Sequence, residues 1–400
     1  MSINICKPEK CTGCAACRDN CPKQCISMQP DELDALHPKI DEELCISCGL
    51  CVKTCPNNIE LPFRNTQKVW AGWSNDNEVR RKSASGGIAY ELYRHWLKKG
   101  GVATGVVYDR VEGCHFVLIE KESDIAATQN SKYTFSDTSG IYKTVKRKLI
   151  EGIPVMFIGV PCQIAGLYGY LKKKYDNLTT VDIICHGMPP AAYLQQHIES
   201  IERRKQEQTS ELFFRDPKYY TYTYTFTLRN SKGKEFYRKK VLTLDNYQLG
   251  YHRALIYREN CYSCNYARKE RISDLTIGDF SGLGRFSPFE HDRRKVSCIL
   301  QNTEKGGNLL TEMVLSNRLS LHERPFCEAF DVEKQLKSPS VKHSGRERFE
   351  HEYRKNKLYE HASDVALRRE KVIAIKTALM LRAKTLVYNF LVLIHLKHKQ

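Results

Sequence analysis

The sequence predicts an α+β protein with a small cysteine-rich domain, a larger α/β domain and a helical tail. Three observations support this. Ten of the 17 cysteines lie within the first 55 of 400 residues. A strand–helix–strand pattern occupies the centre of the chain, and a basic segment with helical character runs from residue 346 onward. With 41% hydrophobic and 27% charged residues, the composition is that of a globular protein rather than a disordered one.

The cysteine-rich region contains two copies of the run C-x2-C-x2-C-x3-C-P, which is found in bacterial two-cluster ferredoxins. Three closely spaced thiolates can wrap one cluster, and the fourth thiolate reaches the neighbouring one. We therefore predict two 4Fe-4S clusters, which we call the first and second ferredoxin sites. The first site takes Cys11, Cys14, Cys17 and Cys55, and the second takes Cys45, Cys48, Cys51 and Cys21.

The alternative to iron–sulfur clusters is a pair of zinc sites. Zinc uses two C-x2-C pairs for each ion, so the third cysteine and the C-P ending of each run would have no purpose there. Gly13 and Gly49 also fit cluster loops, because small residues let backbone N–H groups approach the sulfurs. Cys6 and Cys25 fall outside the pattern and are expected to be spare buried thiols.

Cellular location and charge narrow the class of protein. The first ten residues lack the apolar core of a signal peptide. A protein that is rich in cysteine and is not exported is expected to use its thiols as metal ligands or catalytic groups in the reducing cytoplasm. The net charge of +17 admits nucleic acid as a partner, but no recognition motif supports one, so we expect none. Residues 1–62 carry six Lys and Arg against nine Asp and Glu, whereas the remainder carries 57 against 37. This shift marks a domain boundary near residue 62.

The region after the boundary is interpreted as a linker over residues 63–81, followed by SASGG at 83–87 and a helix from Ile88. Strands are expected at 102–109 and 115–120. Further on, 153–160 and 178–184 are apolar runs of strand length that flank a helical segment at 164–175. Strand–helix–strand with short joints predicts a parallel βαβ unit. Ligands bind outside the carboxyl ends of such strands, and Cys162 and Cys185 follow these two ends.

A second cysteine group follows a predicted hairpin. Aromatic and threonine residues alternate over 219–228, and 235–244 is expected to pair back onto that strand. Cys261 and Cys264 then form a C-x2-C pair, which alone could be a redox disulfide or half of a zinc site. Counted with Cys162 and Cys185, the pair supplies four thiolates from three loops. We therefore expect a third cluster at these four residues, called the inner site, against the alternative of buried structural cysteines.

Five motifs now resemble one family, the beta subunit of coenzyme F-420 hydrogenase and dehydrogenase. They are SASGG at 83–87, SKYTFS at 131–136, GVPCQIAGL at 159–167, CHG at 185–187 and CYSC with SDLTIGDFSG at 261–282. The resemblance implies an α/β domain that binds a flavin, FAD, and one 4Fe-4S cluster. It implies the inner site as that cluster's ligand set. For the flavin it offers Ser85, Gly86, Gly87, Lys132, Tyr133 and Ser136.

The resemblance also defines the expected organisation and activity. A two-cluster ferredoxin domain at 1–62 and the linker at 63–81 precede a flavin region at 82–160, a third-cluster region at 161–345 and a basic tail at 346–400. The expected function is a flavin-dependent oxidoreductase that exchanges electrons between ferredoxin-type clusters and an organic substrate or deazaflavin coenzyme. The alternative is an electron-transfer subunit of a larger redox or polysaccharide-biosynthesis complex, without its own substrate pocket.

Other features give finer expectations. The fused ferredoxin module and CHG resemble the bacterial branch of the family, which makes F-420 itself a doubtful substrate. An electron donor or acceptor such as ferredoxin is the expected partner. No catalytic residue is assigned; His186 is a conceivable general acid, although a lone histidine is more often structural. The apolar stretch at 385–399 has basic flanks, which indicates a helix that docks on the core or a partner subunit or lies on the inner face of a membrane.

Overall fold

The first 62 residues form a small domain around one hairpin and two short helices. In this computed structural model, which describes residues 3–219, 224–241, 243–292 and 294–376, strand β1 (Ile26–Pro30) pairs antiparallel with β2 (Leu36–Ile40). Helices α1 (Ala16–Asp19) and α2 (Leu50–Thr54) each follow one C-x2-C pair. The predicted α+β fold class, with a ferredoxin-like domain at the N-terminal side, is confirmed.

An eight-stranded mixed sheet organises the larger domain. Its strands are β3 (Lys68–Ser74), β4 (Val102–Asp109), β5 (Gly113–Ile119), β6 (Val155–Gly159), β7 (Leu178–Ile183), β11 (Leu275–Asp279), β12 (Ser297–Gln301) and β13 (Leu319–Arg324). Their spatial order is β13-β3-β12-β11-β7-β6-β4-β5. Strands β4, β6, β7 and β11 are mutually parallel neighbours at the centre, and the flanking pairs are antiparallel.

Helices cover the sheet and extend from it. They are α3 (Asn77–Lys82), α4 (Ile88–Lys98), α5 (Glu122–Thr128), α6 (Ile141–Ile150), α7 (Pro161–Leu171), α8 (Ala191–Lys205), α9 (Asn246–His252), α10 (Glu304–Leu315), α11 (Phe326–Phe330), α12 (Arg346–Asn356) and α13 (Tyr359–Ala366). Short 3-10 turns lie at Pro8–Lys10, Glu259–Ser263 and Lys334–Leu336. None of the described helices is long and apolar enough to cross a bilayer.

The predicted βαβ unit is present as β6, α7 and β7, and the two strands are parallel neighbours. Helix α7 is buried along almost its whole length, although it begins at a surface-type Pro161. A helix that is apolar all round must be covered on two sides. The sheet covers one side of α7, and α1 and α2 of the ferredoxin domain pack on it from the other.

A second, three-stranded sheet lies outside the main one. It consists of β8 (Glu211–Phe213), β9 (Phe226–Arg229) and β10 (Glu235–Lys239) in the order β10-β9-β8. The antiparallel β9–β10 pair agrees with the hairpin expected from the aromatic–threonine alternation. Phe226, Phe236 and Tyr237 of this hairpin pack with α8, α9, α12 and α13 in one apolar core, while residues 220–223 of the aromatic stripe lie outside the described residues.

Two predicted boundaries differ from the structure. Residues 63–81 are not simply a linker, because strand β3 and helix α3 lie within them. Val69 and Ala71 alternate inward on β3 and are fully buried between β12 and β13. The main sheet also continues across the expected division at 160/161, since β6 lies before it and pairs with β7 from beyond it. The apolar stretch at 385–399 lies outside the described residues.

Candidate metal centres

The first ferredoxin site surrounds a cavity at the junction of the hairpin and the cysteine loops. The empty space measures about 320 Å³ and includes open solvent. The cysteines that line it are Cys6, Cys11, Cys14, Cys17 and Cys55. The last cysteine of the second run has therefore joined the first three of the first run, which is the crossed arrangement that the spacing predicts.

The second ferredoxin site shows the same crossing in reverse. Its cavity of about 330 Å³ is lined by Cys21, Cys25, Cys45, Cys48 and Cys51. This site lies at the surface, because Cys48 is exposed and the neighbouring Leu44 and Ile46 expose 56% and 58% of their area. The second site is therefore at the more exposed end of the ferredoxin domain.

The spare thiols lie beside the predicted ligands. Cys25 Sγ is 3.4 Å from Cys21 Sγ, and the neighbouring thiols of Cys11 and Cys55 act on Cys6 and raise its pKa. None of the 17 cysteines forms a disulfide. No group of three or more His, Cys, Asp or Glu in the described ranges converges on a single-ion site. Four thiols spread around a cavity suit a multi-atom inorganic core better than the compact tetrahedron of zinc.

The inner site collects four cysteines from distant parts of the chain. Cys162 is the second residue of α7, directly after the carboxyl end of β6, and Cys185 follows the end of β7. Cys261 lies in the 3-10 turn Glu259–Ser263, and Cys264 follows that turn. Parallel strands end at the same sheet edge, so the βαβ unit brings Cys162 and Cys185 together. The turn at 259–263 then closes the site from outside the sheet.

Electrostatics shows that the four thiols are neighbours. Burial raises the pKa of Cys162 well above its usual range, and the charges of Cys185, Cys264 and Cys261 raise it further. Burial also raises the pKa of Cys261 to about 11. The Met188 backbone N–H donates to Cys261 Sγ at 3.4 Å and has the opposite, smaller effect on this pKa. Without a metal these thiols hold their protons, so metal binding here is coupled to proton release.

The first ferredoxin site and the inner site are adjacent. A Cβ at Gly166, one turn along α7 from Cys162, would lie 3.0 Å from Cys14 Sγ. The Thr138 hydroxyl donates to the Cys14 carbonyl at 2.8 Å, which fixes the cluster loop to the larger domain. The charge of Cys14 also acts on Cys162. The three cysteine sets therefore lie in the order second ferredoxin site, first ferredoxin site, inner site.

Comparison with known proteins identifies the family. The model of the coenzyme F-420 hydrogenase/dehydrogenase beta subunit N terminus matches residues 69–143, and that of the C terminus matches 154–325. Together the two matches cover more than half of the chain. The chain belongs to the coenzyme F-420 hydrogenase/dehydrogenase beta subunit family. The model of a 4Fe-4S dicluster domain matches residues 10–59, so this beta subunit homologue carries a fused ferredoxin-type iron–sulfur domain.

Individual relatives match only in part. The chain is 44% identical over 116 residues to translation initiation factor rli1 of Schizosaccharomyces pombe, covering 27% of this chain and 17% of that protein. It is 24% identical over 185 residues to the coenzyme F-420-dependent sulfite reductase of Methanocaldococcus jannaschii, covering 45% of this chain and 28% of that protein. The chain therefore spans less than a third of the length of either relative.

A solved structure is also similar. A chain of the xenon-derivatised F-420-reducing NiFe hydrogenase complex from Methanosarcina barkeri superposes with a TM-score of 0.45 at 18% identity. The superposition covers 78% of this chain and 94% of that chain. Assignment of this beta subunit homologue to the bacterial branch of the family stays a prediction.

The SKYTFS motif lies beside the inner site. The Ser136 carbonyl accepts from Gln163 Nε2 at 3.2 Å, next to Cys162. The Tyr133 ring stacks on Tyr251 with centroids 4.6 Å apart, and the charge of Cys185 contributes to raising the pKa of Tyr251, after burial. Lys132 Nζ donates to four successive carbonyls, those of residues 127–130, at the end of α5. In this structure Lys132 therefore caps a helix.

The SASGG motif lies against strand β12 and close to the segment that precedes SKYTFS. Ser83 Oγ lies 3.5 Å from Gln129 Nε2, only a few residues before SKYTFS. Gly87 begins α4 in the left-handed conformation. The Gly86 N–H donates to Ser297 Oγ at 2.9 Å and its carbonyl accepts from the Ser74 N–H at 2.7 Å, so both backbone groups have protein partners. The Ser85 hydroxyl donates to the Val296 carbonyl at 3.2 Å.

The structure adds two buried cations that the sequence analysis did not single out. Lys295 Nζ donates to the carbonyls of Ser83 and Ala84, and burial together with the charge of Arg215 lowers the pKa of Lys295 to about 6. Arg258 lies between the ferredoxin domain and the inner site. The only feature of the sequence that could have pointed to Arg258 is its position three residues before Cys261.

His186, the conceivable general acid, is half-exposed, with Nε2 4.0 Å from Glu333 Oε1.

Proposed function

We propose that this protein is an iron–sulfur flavoprotein oxidoreductase in which three 4Fe-4S clusters connect an outside electron carrier to a flavin. The observation that supports it most directly is that the three sets of four cysteines follow one another through the protein, from the second ferredoxin site to the first and then to the inner site. The first and second ferredoxin sites and the inner site would hold the clusters. A 4Fe-4S cluster carries single electrons, and a flavin converts these to the two-electron chemistry of an organic substrate.

The chain's own residues would provide the point where electrons enter, the buried path between the clusters and the exit where electrons reach the flavin. The exposed Cys48 loop offers the entry for a carrier such as ferredoxin. Helix α7 excludes water between the first ferredoxin site and the inner site, because it is buried almost throughout. At the exit, Ser83 of the SASGG motif contacts Gln129, two residues before the SKYTFS motif, whose Ser136 carbonyl accepts from Gln163 beside Cys162. This supports Ser85, Gly86, Gly87, Tyr133 and Ser136 as the wall of the flavin site.

The flavin is proposed to be FAD, and its redox partner an organic molecule or a deazaflavin coenzyme. Family membership supports the flavin and the deazaflavin. The family also contributes the inner cluster, whose four thiols fit a cubane by number, chemistry and burial. Lys132 enters this proposal as the residue that holds the end of α5 beside the site rather than as a direct cofactor contact.

An anaerobic count of iron, sulfide and flavin in each chain tests the proposal. Three cubanes predict about 12 iron and about 12 sulfide atoms, and denaturation should release about one flavin. A count near eight iron atoms would leave the inner site without a cluster. A protein with full iron and no flavin would instead be an electron-transfer subunit without a substrate site of its own, and the oxidoreductase proposal would fail.

A further inference from the structure

Arg258 is a buried charge without an anionic side-chain partner. It is 2% exposed and is the bulkiest of the fully buried side chains in the described residues. Nη2 donates to the carbonyls of Cys11 and Leu36 at 3.3 and 3.0 Å, and Nε donates to Asn260 Oδ1 at 3.4 Å. The guanidinium also lies 5.2 Å from the centre of the Phe135 ring. Every one of these partners is neutral.

This arrangement departs from that of other buried arginines in the protein. Arg271 pairs with Asp182 at 2.6 Å, and Arg324 pairs with Glu328 at 2.8 Å. Among the residues that the structure describes, no carboxylate lies within ion-pair distance of Arg258, and its Nη1 is buried without a hydrogen-bond partner. A buried cation is costly unless an opposite charge accompanies it. We therefore expect an anionic group other than a carboxylate to lie next to Arg258.

The candidate anions are the two neighbouring cysteine sets. Arg258 touches the Cys11 backbone of the first ferredoxin site, and the Cys261 N–H of the inner site donates to the Arg258 carbonyl at 3.0 Å. A cubane with four thiolates is anionic, so either cluster would supply the missing countercharge.

The ferredoxin loop is shaped to admit this side chain. A Cβ at Gly13 would lie 2.9 Å from Arg258 Nη2, and Gly13 has a φ of +71°. Any larger residue would push the guanidinium away from the loop that holds Cys11 and Cys14. Glycine at this position is therefore explained by the cation as well as by the cluster loop.

We propose that Arg258 is an electrostatic bridge between the first ferredoxin site and the inner site, and that its buried charge raises the reduction potential of the clusters held at both. This inference rests on the proposed function for its two clusters. Each cluster gains a negative charge on reduction, so a nearby fixed cation stabilises the reduced form. Burial keeps the interaction from being screened by salt.

The test is an EPR-monitored redox titration of the anaerobic full-length protein and its Arg258→Gln and Arg258→Lys variants. We expect Arg258→Gln to retain its iron and to weaken reduction at the two adjacent sites at least tenfold, which is 59 mV for one electron. Arg258→Lys should lie closer to the wild-type protein, because the charge is kept. The reduction potential of the second ferredoxin site should change least. Arg324→Gln removes a buried arginine that is paired with a carboxylate, and it should leave all potentials unchanged.

Unmoved potentials in an iron-replete Arg258→Gln variant would overturn the proposal, as would equal shifts at all three sites. If Arg258→Gln loses iron, the equally neutral Arg258→Met takes its place in the titration, since a purely structural role predicts wild-type potentials for any neutral variant that keeps its clusters. The wild-type iron count separates this result from the proposed function. If the wild-type protein holds only the two ferredoxin clusters, the proposed inner cluster is wrong. The shift in reduction potential at the first ferredoxin site can still be measured in that case.

Discussion

Cys162 shows how one residue joins local and distant structure. It is 8% exposed, it begins α7 at the end of β6, and it faces thiols contributed by residues 185, 261 and 264. The local part of this arrangement follows from the strand–helix pattern, because a residue after a parallel strand lies at the carboxyl edge of the sheet. The distant part depends on how the segment around Cys261 folds back.

Replacing Cys162 should remove the inner cluster alone. We expect Cys162→Ala to lose about four iron atoms for each chain while the EPR signals of both ferredoxin sites persist. The matched control is Cys298→Ala, since Cys298 is also buried but lies in β12 within an apolar cluster. Loss of all iron from Cys162→Ala, or equal loss from the control, would contradict a separate inner site.

At the scale of elements, a buried charged triad holds three helices together. His197 of α8 is 1% exposed, and its ring nitrogens lie 3.0 Å from Asp245 Oδ2 and 2.5 Å from Glu360 Oε1. Asp245 caps α9 and Glu360 belongs to α13. Burial alone would lower the pKa of His197, but the two carboxylates raise it to about 10. The protonated form therefore stabilises the packing of α8, α9 and α13.

The triad predicts a defined pH dependence of stability. Because the folded pKa of His197 exceeds its ordinary value of about 6.5, the stabilisation is complete below that value and is lost as the pH rises towards 10. Asp245→Asn retains a good helix cap but leaves His197 with one carboxylate fewer. We expect the variant to lose about 3 kcal/mol of unfolding free energy at neutral pH.

Denaturant unfolding at pH 6.5 and pH 10 measures this effect. The difference between Asp245→Asn and wild type should shrink at the higher pH, where about half of the folded wild-type molecules have lost the His197 proton. His361→Gln is the control, because His361 is half-exposed and pairs with Glu352 at the surface. A difference that stays the same at both pH values would show that the pair contributes through packing alone.

The whole molecule depends on how closely the ferredoxin domain approaches α7. A Cβ at Gly169 would lie 2.1 Å from the Thr54 carbonyl oxygen of α2. Tyr193 and Tyr353, from the helical region, donate their hydroxyl groups to the hairpin loop at Leu33 and Asp34. The domain is therefore fixed between α7 on one side and the helices α8 and α12 on the other.

A side chain at Gly169 should displace the ferredoxin domain. We expect Gly169→Val to cost about 1–3 kcal/mol of unfolding free energy through overpacking against backbone, and to make the 60–68 segment more susceptible to proteolysis. The control is Gly307→Val in α10, where a Cβ would meet only the flexible end of the Gln301 side chain. Equal susceptibility to proteolysis in the two variants would indicate that α7 does not set the domain contact.

How much could be predicted differs between parts of the site. The crossed cysteine sets follow from spacing alone, since all eight residues lie within one short domain. The βαβ unit follows from hydrophobic runs of strand length. Strand β3 was missed because a polar stretch around Asn75 and Asp76 hides its short buried alternation. The expected division at 160/161 did not account for a sheet whose central pairs join both halves.

The sequence by itself determined the chemistry of this protein: the cysteine runs, the family and the order of its motifs. Only the tertiary structure decided which parts meet. Arg258 reaches Cys11 across 247 positions of the chain, and Gly169 meets Thr54 from a different domain. Metal-ligand spacing is a local property that is written in the chain, whereas a buried cation between two sites exists only after long-range packing has excluded water from it.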